Sequence, residues 1–121
     1  MITLGSTPAD DILEVRISGT VTAGDYETVL VPAVEAALEA RERLRLLAVF
    51  DGDFRHYTAG AMAEDARLGL RHWHGFGKVA VVAGNLWLKT AIALFAPVMP
   101  CPIRVFPVGT ESEARDWLRA E

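Results

Sequence analysis

Alternating apolar and polar residues predict two strands near the start of the chain. From Leu13 to Ile17 every second residue is apolar, which is the period of a half-buried strand. A shorter strand is predicted over residues 2–5, before a turn-rich break at residues 6–11. Because only a short turn separates the two strands, we expect them to form an antiparallel pair.

Helical and continuous apolar patterns alternate in the rest of the chain. Thr22 is predicted to cap a first helix, and Pro32 is expected to kink that helix or delay its regular part. Thr110 and Glu113 have the spacing of a capping box that opens the last helix. Two other helices are predicted over residues 58–73 and from 86 to about 96, and buried strands over 44–50, 78–84 and 103–108.

The predicted order is β-β-α-β-α-β-α-β-α, which is typical of an α/β fold. Strands that alternate with helices of this length form a largely parallel sheet with right-handed crossovers. We therefore expect a mixed but mostly parallel sheet of five strands with about four helices. Nothing in the sequence marks a linker or a repeat, so residues 1–121 are predicted to form a single domain.

Charge and cysteine content narrow the kinds of partner and compartment. The net charge is −4, whereas nucleic-acid binding requires a concentrated basic surface, so we expect no nucleic-acid partner. Cys101 is the only cysteine, so no disulfide can form within the chain. The sequence has neither a signal-peptide pattern nor an apolar run long enough to cross a bilayer. We therefore expect a cytoplasmic protein, peripheral to the membrane if its ligand is a lipid.

The sequence shows no catalytic constellation, so we predict no catalytic residue, no cofactor, no metal site and no enzymatic activity. It contains no nucleophile elbow, phosphate-binding loop or dinucleotide fingerprint. Asp51 and Asp53 follow a predicted parallel strand. Two aspartates at this place could bind a metal, or they could simply form a turn. His72 and His74 are two residues apart, a spacing that places them on diverging faces of a helix. His56 is interpreted as an exposed loop residue and Cys101 as a structural thiol.

The third predicted helix is unusually apolar. From Leu86 to Met99 the only residues outside the apolar set are Lys89, Thr90 and Pro97, so apolar side chains surround most of the helix. A helix of this length spans about 20 Å, which is too short to cross a bilayer. Three environments remain open: a deep core, a dimer or partner surface, and contact with an apolar ligand or lipid. If the helix is not buried within the chain, a homodimer is the default arrangement.

The chain resembles the SpoIIAA-like family of small bacterial proteins, which are similar to STAS domains. The resemblance covers nearly the whole chain in order. It rests on Gly19–Glu27, Val31–Glu35, Ala59–Met62, Asp65–Gly69, Lys78–Val82 and Arg104–Pro107. It implies a regulatory domain or, through a further similarity to lipid-carrying CRAL-TRIO domains, one that binds apolar ligands.

Thr58 occupies the place where anti-sigma-factor antagonists of the STAS fold carry a phosphorylated serine. The resemblance therefore makes Thr58 a candidate phosphoacceptor, although Tyr57 stands where those proteins have an acid. A phosphate there would lie at a helix N-terminus, which favours anions. A threonine at this position is also a good N-cap, and capping explains it without any modification.

The sequence therefore predicts a non-enzymatic domain that binds an apolar small molecule or a lipid surface. The binding cleft is expected between the second and third predicted helices. The residues expected to line or flank it are Phe54, Trp73, Trp87, Leu88, Ile92 and Phe95. The alternative is a protein-interaction regulator of the anti-sigma-factor-antagonist kind, phosphorylated at Thr58.

Overall fold

The computed structural model describes residues 1–5, 12–40, 43–72, 74–84, 86–95, 97 and 101–120, without the side chains of residues 86, 87 and 95. The strands are β1 (Ile2–Leu4), β2 (Ile12–Ile17), β3 (Thr20–Val21), β4 (Leu44–Phe50), β5 (His56–Tyr57), β6 (Phe76–Val82) and β7 (Ile103–Phe106). The α-helices are α1 (Ala23–Asp25), α2 (Val31–Ala40), α3 (Ala59–Arg71), α4 (Leu86–Phe95) and α5 (Glu111–Arg119). A π-helical segment, Tyr26–Leu30, joins α1 to α2.

A five-stranded mixed sheet organises the fold, as the sequence predicts. The strand order is β1-β2-β4-β6-β7, with β1 antiparallel to β2 and the other neighbours parallel. The described helices form four regions, because α1, the π segment and α2 are continuous. The sequence did not predict the second, two-stranded sheet, in which β3 pairs in parallel with β5.

Two apolar cores lie on opposite faces of the main sheet. On the first face, residues of β2, β4 and β6 pack against the π segment, α2, α3 and α4, with Val15, Ala48 and Val81 among the buried positions. On the second face, Leu47 and Leu118 are fully buried in a smaller core that α5 covers. The odd and even residues of each strand point to opposite faces. The runs at 44–50 and 78–84 are therefore almost continuously apolar.

The first helical region shows how Pro32 is accommodated. Thr22 caps α1 and forms a capping box with Asp25, whose carboxylate accepts a hydrogen bond from the Thr22 backbone N–H at 2.9 Å. Pro32 has no N–H and its ring would clash with a carbonyl one turn earlier in a regular helix. The wider π-helical turn ends just before it, with the Val31 N–H bonded to the Tyr26 carbonyl. The prediction of a delayed regular helix is therefore confirmed.

The predicted capping box at Thr110 is wrong. Thr110 immediately precedes α5, but its hydroxyl donates to the Pro107 carbonyl at 2.6 Å and makes no capping hydrogen bond to the helix. Its ψ of 33° differs from the extended backbone of a typical N-cap residue. The Thr110 hydroxyl, which the sequence predicted to cap α5, therefore bonds within the preceding turn instead.

Candidate functional site

Four aromatic side chains gather at the carboxyl end of β4. Phe50 is the last residue of the strand, and its ring lies 4.9 Å from that of Phe54 and 6.3 Å from that of Tyr57. Tyr57 also contacts Phe54, at 5.7 Å, and Tyr26, at 6.1 Å. The chain turns back after β4 through a hydrogen bond from the Phe54 N–H to the Asp51 carbonyl. We call Tyr26, Phe50, Phe54 and Tyr57 the aromatic cluster.

A polar contact joins this aromatic cluster to α3. The hydroxyl of Tyr26 donates to Oδ1 of Asp65 at 2.7 Å, and Tyr26 is only 1% exposed. Burial and the nearby carboxylate raise the pKa of Tyr26, and burial raises the pKa of Tyr57 to about 12. Asp65 is an exposed residue, but surrounding protein atoms desolvate its carboxyl group, and this desolvation raises the pKa of the group. The hydrogen bond from Tyr26 has the opposite, smaller effect. Both phenols are therefore held in the protonated form.

Asp51 and Asp53 follow β4, as the sequence indicates, in the turn before Phe54. Asp51 forms an exposed ion pair with Arg16 at 3.2 Å. Within the described residues, no group of three or more histidine, cysteine or acidic side chains could hold a metal ion. Asp51 thus accepts the hydrogen bond that closes the turn and pairs with β2, and Asp53 lies in the same turn.

Thr58 is the N-cap of α3, which confirms the capping interpretation. Its hydroxyl oxygen accepts a hydrogen bond from the Ala61 N–H at 3.1 Å. Gly60 faces α1 so closely that an added Cβ would lie 3.2 Å from the Cβ of Ala23. The start of α3 is therefore packed against α1, with the half-buried Thr58 next to that contact. Phosphorylation of Thr58 stays a prediction.

The helix α4 is apolar on its buried and on its solvent-facing sides. Leu88 is buried in the core on the first face of the sheet, and Ile92 is half-buried against the same core. Leu94 is 73% exposed, and Ala93 is exposed beside it. Such a helix leaves apolar surface in solvent that its own fold does not cover.

Three of the six side chains that the sequence predicts for the cleft belong to or pack against one core. Phe54, Leu88 and Ile92 all belong to or pack against the core on the first face, with Phe54 in the aromatic cluster. Trp73 and the side chains of Trp87 and Phe95 lie outside the described residues. A cleft between the second and third predicted helices therefore stays a prediction.

A groove lies between α4 and the edge strand β7. It has a volume of about 380 Å³, and its lining is mostly apolar. The lining residues are Lys89, Ile92, Ala93, Ile103, Arg104, Val105, Phe106 and Pro107. Of the predicted cleft residues whose side chains the structure describes, Ile92 is the one in this lining. The guanidinium of Arg104 lies 4.9 Å from the centre of the Phe106 ring, whose side chain packs in the core on the second face of the sheet, under α5.

The thiol of Cys101 is buried, and burial raises its pKa above the ordinary value. A higher pKa lowers the fraction of reactive thiolate near neutral pH. Near the end of α3, His72 Nε2 lies 3.7 Å from a carboxylate oxygen of Glu35 on α2. Burial of Cys101 and the contact of His72 with Glu35 are both features of a structural role.

No described helix combines the length and the apolar character needed to span a bilayer. The family model described as SpoIIAA-like matches residues 12–119. Among solved structures, the chain is similar to an uncharacterised protein of the DUF3478 family, with a SpoIIAA-like fold, from Shewanella loihica PV-4. The two are 25% identical with a TM-score of 0.74, over 98% of this chain and 92% of the other. The comparison with curated proteins found no match.

Proposed function

The chain belongs to the SpoIIAA-like family, and we propose that it is a non-enzymatic regulatory domain that binds an apolar small molecule or a lipid. The observation that carries this proposal is the groove between α4 and β7, which lies directly beside the exposed apolar side of α4. Its volume of about 380 Å³ falls within the range of small-molecule sites, which is roughly 300–1,000 Å³.

The energetics of α4 support binding at this place. Each Å² of apolar surface removed from water contributes roughly 25 cal/mol, so covering the groove-lining Ile92 and Ala93 would be favourable. Ile92 lines the groove and also packs against the core, so one side of the groove rests on well-packed residues. A ligand in the groove would bury further apolar surface of α4. The same surface would let the domain associate reversibly with a membrane.

Filling the groove should weaken ligand binding. Ala93 is exposed and lines the groove, so Ala93→Trp would occupy its volume without displacing a core side chain. We expect the affinity for the neutral apolar dye N-phenylnaphthylamine, measured by fluorescence titration, to fall about tenfold or more. The matched control is Ala63→Trp, which changes an exposed alanine of α3 and should leave the affinity unchanged.

Two further measurements decide whether a natural ligand or a lipid surface is involved. Native mass spectrometry would detect a co-purified ligand, and flotation with phosphatidylcholine vesicles, with and without phosphatidylglycerol, would detect membrane association. The proposal would be wrong if the wild-type chain bound no dye, retained no ligand and did not float with either vesicle.

The position of Thr58 favours a second candidate function, a protein-interaction regulator switched by phosphorylation. Its hydroxyl lies at the N-terminus of α3 next to α1, so a phosphate would replace the cap of one helix and press on the other. Incubation with lysate of the native host and ATP should add one phosphate at Thr58, detectable by peptide mass spectrometry. Thr58→Glu should change the captured partners, while Thr58→Ser, which keeps the cap, should not. An unmodified Thr58 together with unchanged partners would contradict this function.

A further inference from the structure

The groove beside β7 follows the edge of the main sheet rather than one of its faces. Its lining includes five consecutive residues, 103–107. Successive residues of a strand point to opposite faces, and here Val105 packs against the core of the first face whereas Phe106 belongs to the core of the second. A groove over one face would be lined by every second residue of the strand. The groove therefore lies along the backbone of β7, with α4 on its first-face side.

The open edge of β7 presents backbone groups to this groove. In the described part of the chain β7 is the last strand of the sheet, so it pairs with β6 alone. The Ala83 N–H donates to the Phe106 carbonyl, and in a parallel ladder the backbone groups of alternate residues point to the same neighbour. The N–H and carbonyl groups of Ile103 and Val105 therefore point away from β6. These two donors and two acceptors are what an added strand requires.

The proline after β7 sets the length of an added strand. Pro107 has no N–H, so pairing along the outer edge ends at this residue. A strand beside β7 would therefore form four backbone hydrogen bonds, two at Ile103 and two at Val105. Because a short edge strand offers few such bonds, side-chain contacts must supply part of the affinity and the specificity.

Two cationic side chains flank this edge, one on each face. Lys89 lines the groove from α4, which packs on the first face. Arg104 is exposed, and its guanidinium stacks on Phe106 on the second face. The lining contains no acidic residue. The side chains of an added strand alternate between the two faces, so two successive acidic residues would each reach one cation. An acidic extended segment therefore complements this edge.

The same charges argue against a second copy of this chain as the added strand. The antiparallel register that would use all four backbone groups pairs Ile103 of one copy with Val105 of the other. This register places Arg104 directly opposite its own counterpart, and like charges opposite each other destabilise a strand pair. A different, acidic chain fits the edge better.

We propose that the open edge of β7 binds an acidic, extended segment of a protein partner by strand addition. The segment forms a sixth strand of the main sheet, its backbone bonded to Ile103 and Val105 and two successive acidic side chains directed to Lys89 and Arg104. The inference goes beyond the proposed function, since it adds a protein partner to the groove. An apolar ligand and an added strand compete for the same space, so binding of one would exclude the other.

The test uses the fluorescein-labelled, amidated hexapeptide Thr-Val-Glu-Glu-Val-Thr, whose binding to the full chain is followed by fluorescence anisotropy. The wild type should bind it about tenfold more tightly than the same peptide with lysine in place of both glutamates, because two exposed ion pairs supply about such a factor. The glutamate peptide with all of its backbone amides N-methylated offers no donor and should not bind. Hydrogen exchange, measured by NMR, should slow at the amides of Ile103 and Val105 when the parent peptide is bound.

A proline in the edge strand tests the same contact from the side of the protein. Val105→Pro removes an outward N–H of β7 and keeps the side that pairs with β6, an arrangement that edge strands tolerate. It should weaken peptide binding about fivefold or more, because a hydrogen bond is lost and the ring stands in the path of the added strand. The matched control Val105→Thr keeps the N–H and the branched shape and should bind as the wild type does. If Val105→Pro does not fold, the N-methylated peptide and the amide exchange decide.

Each other outcome has a definite meaning. Equal binding of the N-methylated and parent peptides, or unchanged exchange at Ile103 and Val105, would overturn strand addition. Equal binding of the glutamate and lysine peptides would overturn the acidic partner. Binding of no peptide, with N-phenylnaphthylamine still bound, would overturn this inference and leave the proposed function intact. Peptide binding by strand addition without dye binding would support this inference and count against the proposed function.

Discussion

Raising the pH from 10 to 12 is expected to destabilise the protein steeply, because the fold keeps both of its tyrosines protonated. The chain has two tyrosines, Tyr26 and Tyr57, and both belong to the aromatic cluster. Burial raises the pKa of Tyr57 from 10.0 to about 12 and raises that of Tyr26 as well. A folded-state pKa above the unfolded value means that the stabilisation is complete below pH 10. It is lost as the pH rises through the folded-state pKa.

The expected slope follows from the number of protons involved. A tyrosine that is protonated in the fold and ionised in the unfolded chain lowers the free energy of unfolding by about 1.4 kcal/mol per pH unit. The two tyrosines together give a slope of about 2.7 kcal/mol per pH unit above pH 10. Urea unfolding at several pH values would measure this slope. Tyr57→Phe keeps the aromatic ring and should reduce the tyrosine contribution by half.

Direct titration of the phenols provides the control. The ultraviolet absorbance of tyrosinate should stay low at pH 10 in the folded protein, where an ordinary tyrosine is half ionised. It should rise only near pH 12 or upon unfolding. Half-maximal ionisation of a folded sample at pH 10 would show that the hydroxyls of Tyr26 and Tyr57 are not shielded as the structure indicates.

Local patterns in the sequence were enough to predict the main sheet. Residues 44–50 and 78–84 are apolar on both faces because each face meets a core, one under α5 and one under the other helices. β2 alternates, and in a half-buried strand of this pattern Glu14 would lie on the side that faces solvent. In the structure Glu14 is 5% exposed, because α5 covers this face and provides Arg115. Periodicity therefore identified the strand but not what covers its polar face.

Elements that depend on distant contacts could not be predicted. The strands β3 and β5 have two residues each, too few for any period to appear, and each exists because it pairs with the other. The hydrogen bond from Tyr26 to Asp65 joins residues 39 positions apart. The π segment could be predicted in part. Pro32 indicated that the helix is irregular, but it did not indicate a π-helical turn.

The candidate groove shows the same division between local and distant information. The apolar character of α4 is visible in the sequence, and Lys89 is noticeable there as a charged residue in an apolar helix. The residues that face α4 across the groove are not visible in the sequence, because they depend on α4 packing beside the edge strand β7. The sequence predicted a cleft toward the preceding helix, whereas the groove lies on the β7 side of α4. A helix that is apolar all around gives no indication of which side faces a neighbour.

Removing the guanidinium of Arg115 is expected to be among the most damaging single changes to the fold. Its Nη2 donates to Oε1 of Glu14 at 2.7 Å, and the side chains of Arg115 and Glu14 are 28% and 6% exposed. Glu14 is closely packed, since a Cβ added to Gly5 would lie 2.8 Å from its Cγ. The carboxylate therefore has little room to turn toward water if Arg115 is lost.

Arg115→Met should lower the free energy of unfolding by about 2–3 kcal/mol at neutral pH, because it removes the cationic partner of a buried carboxylate. Urea unfolding at neutral pH would measure this loss. Arg119→Met in the same helix, whose side chain is 45% exposed and pairs with Asp116, should cost less than about 0.5 kcal/mol. Equal losses in the two variants would show that the Glu14–Arg115 pair does not hold α5 to the sheet.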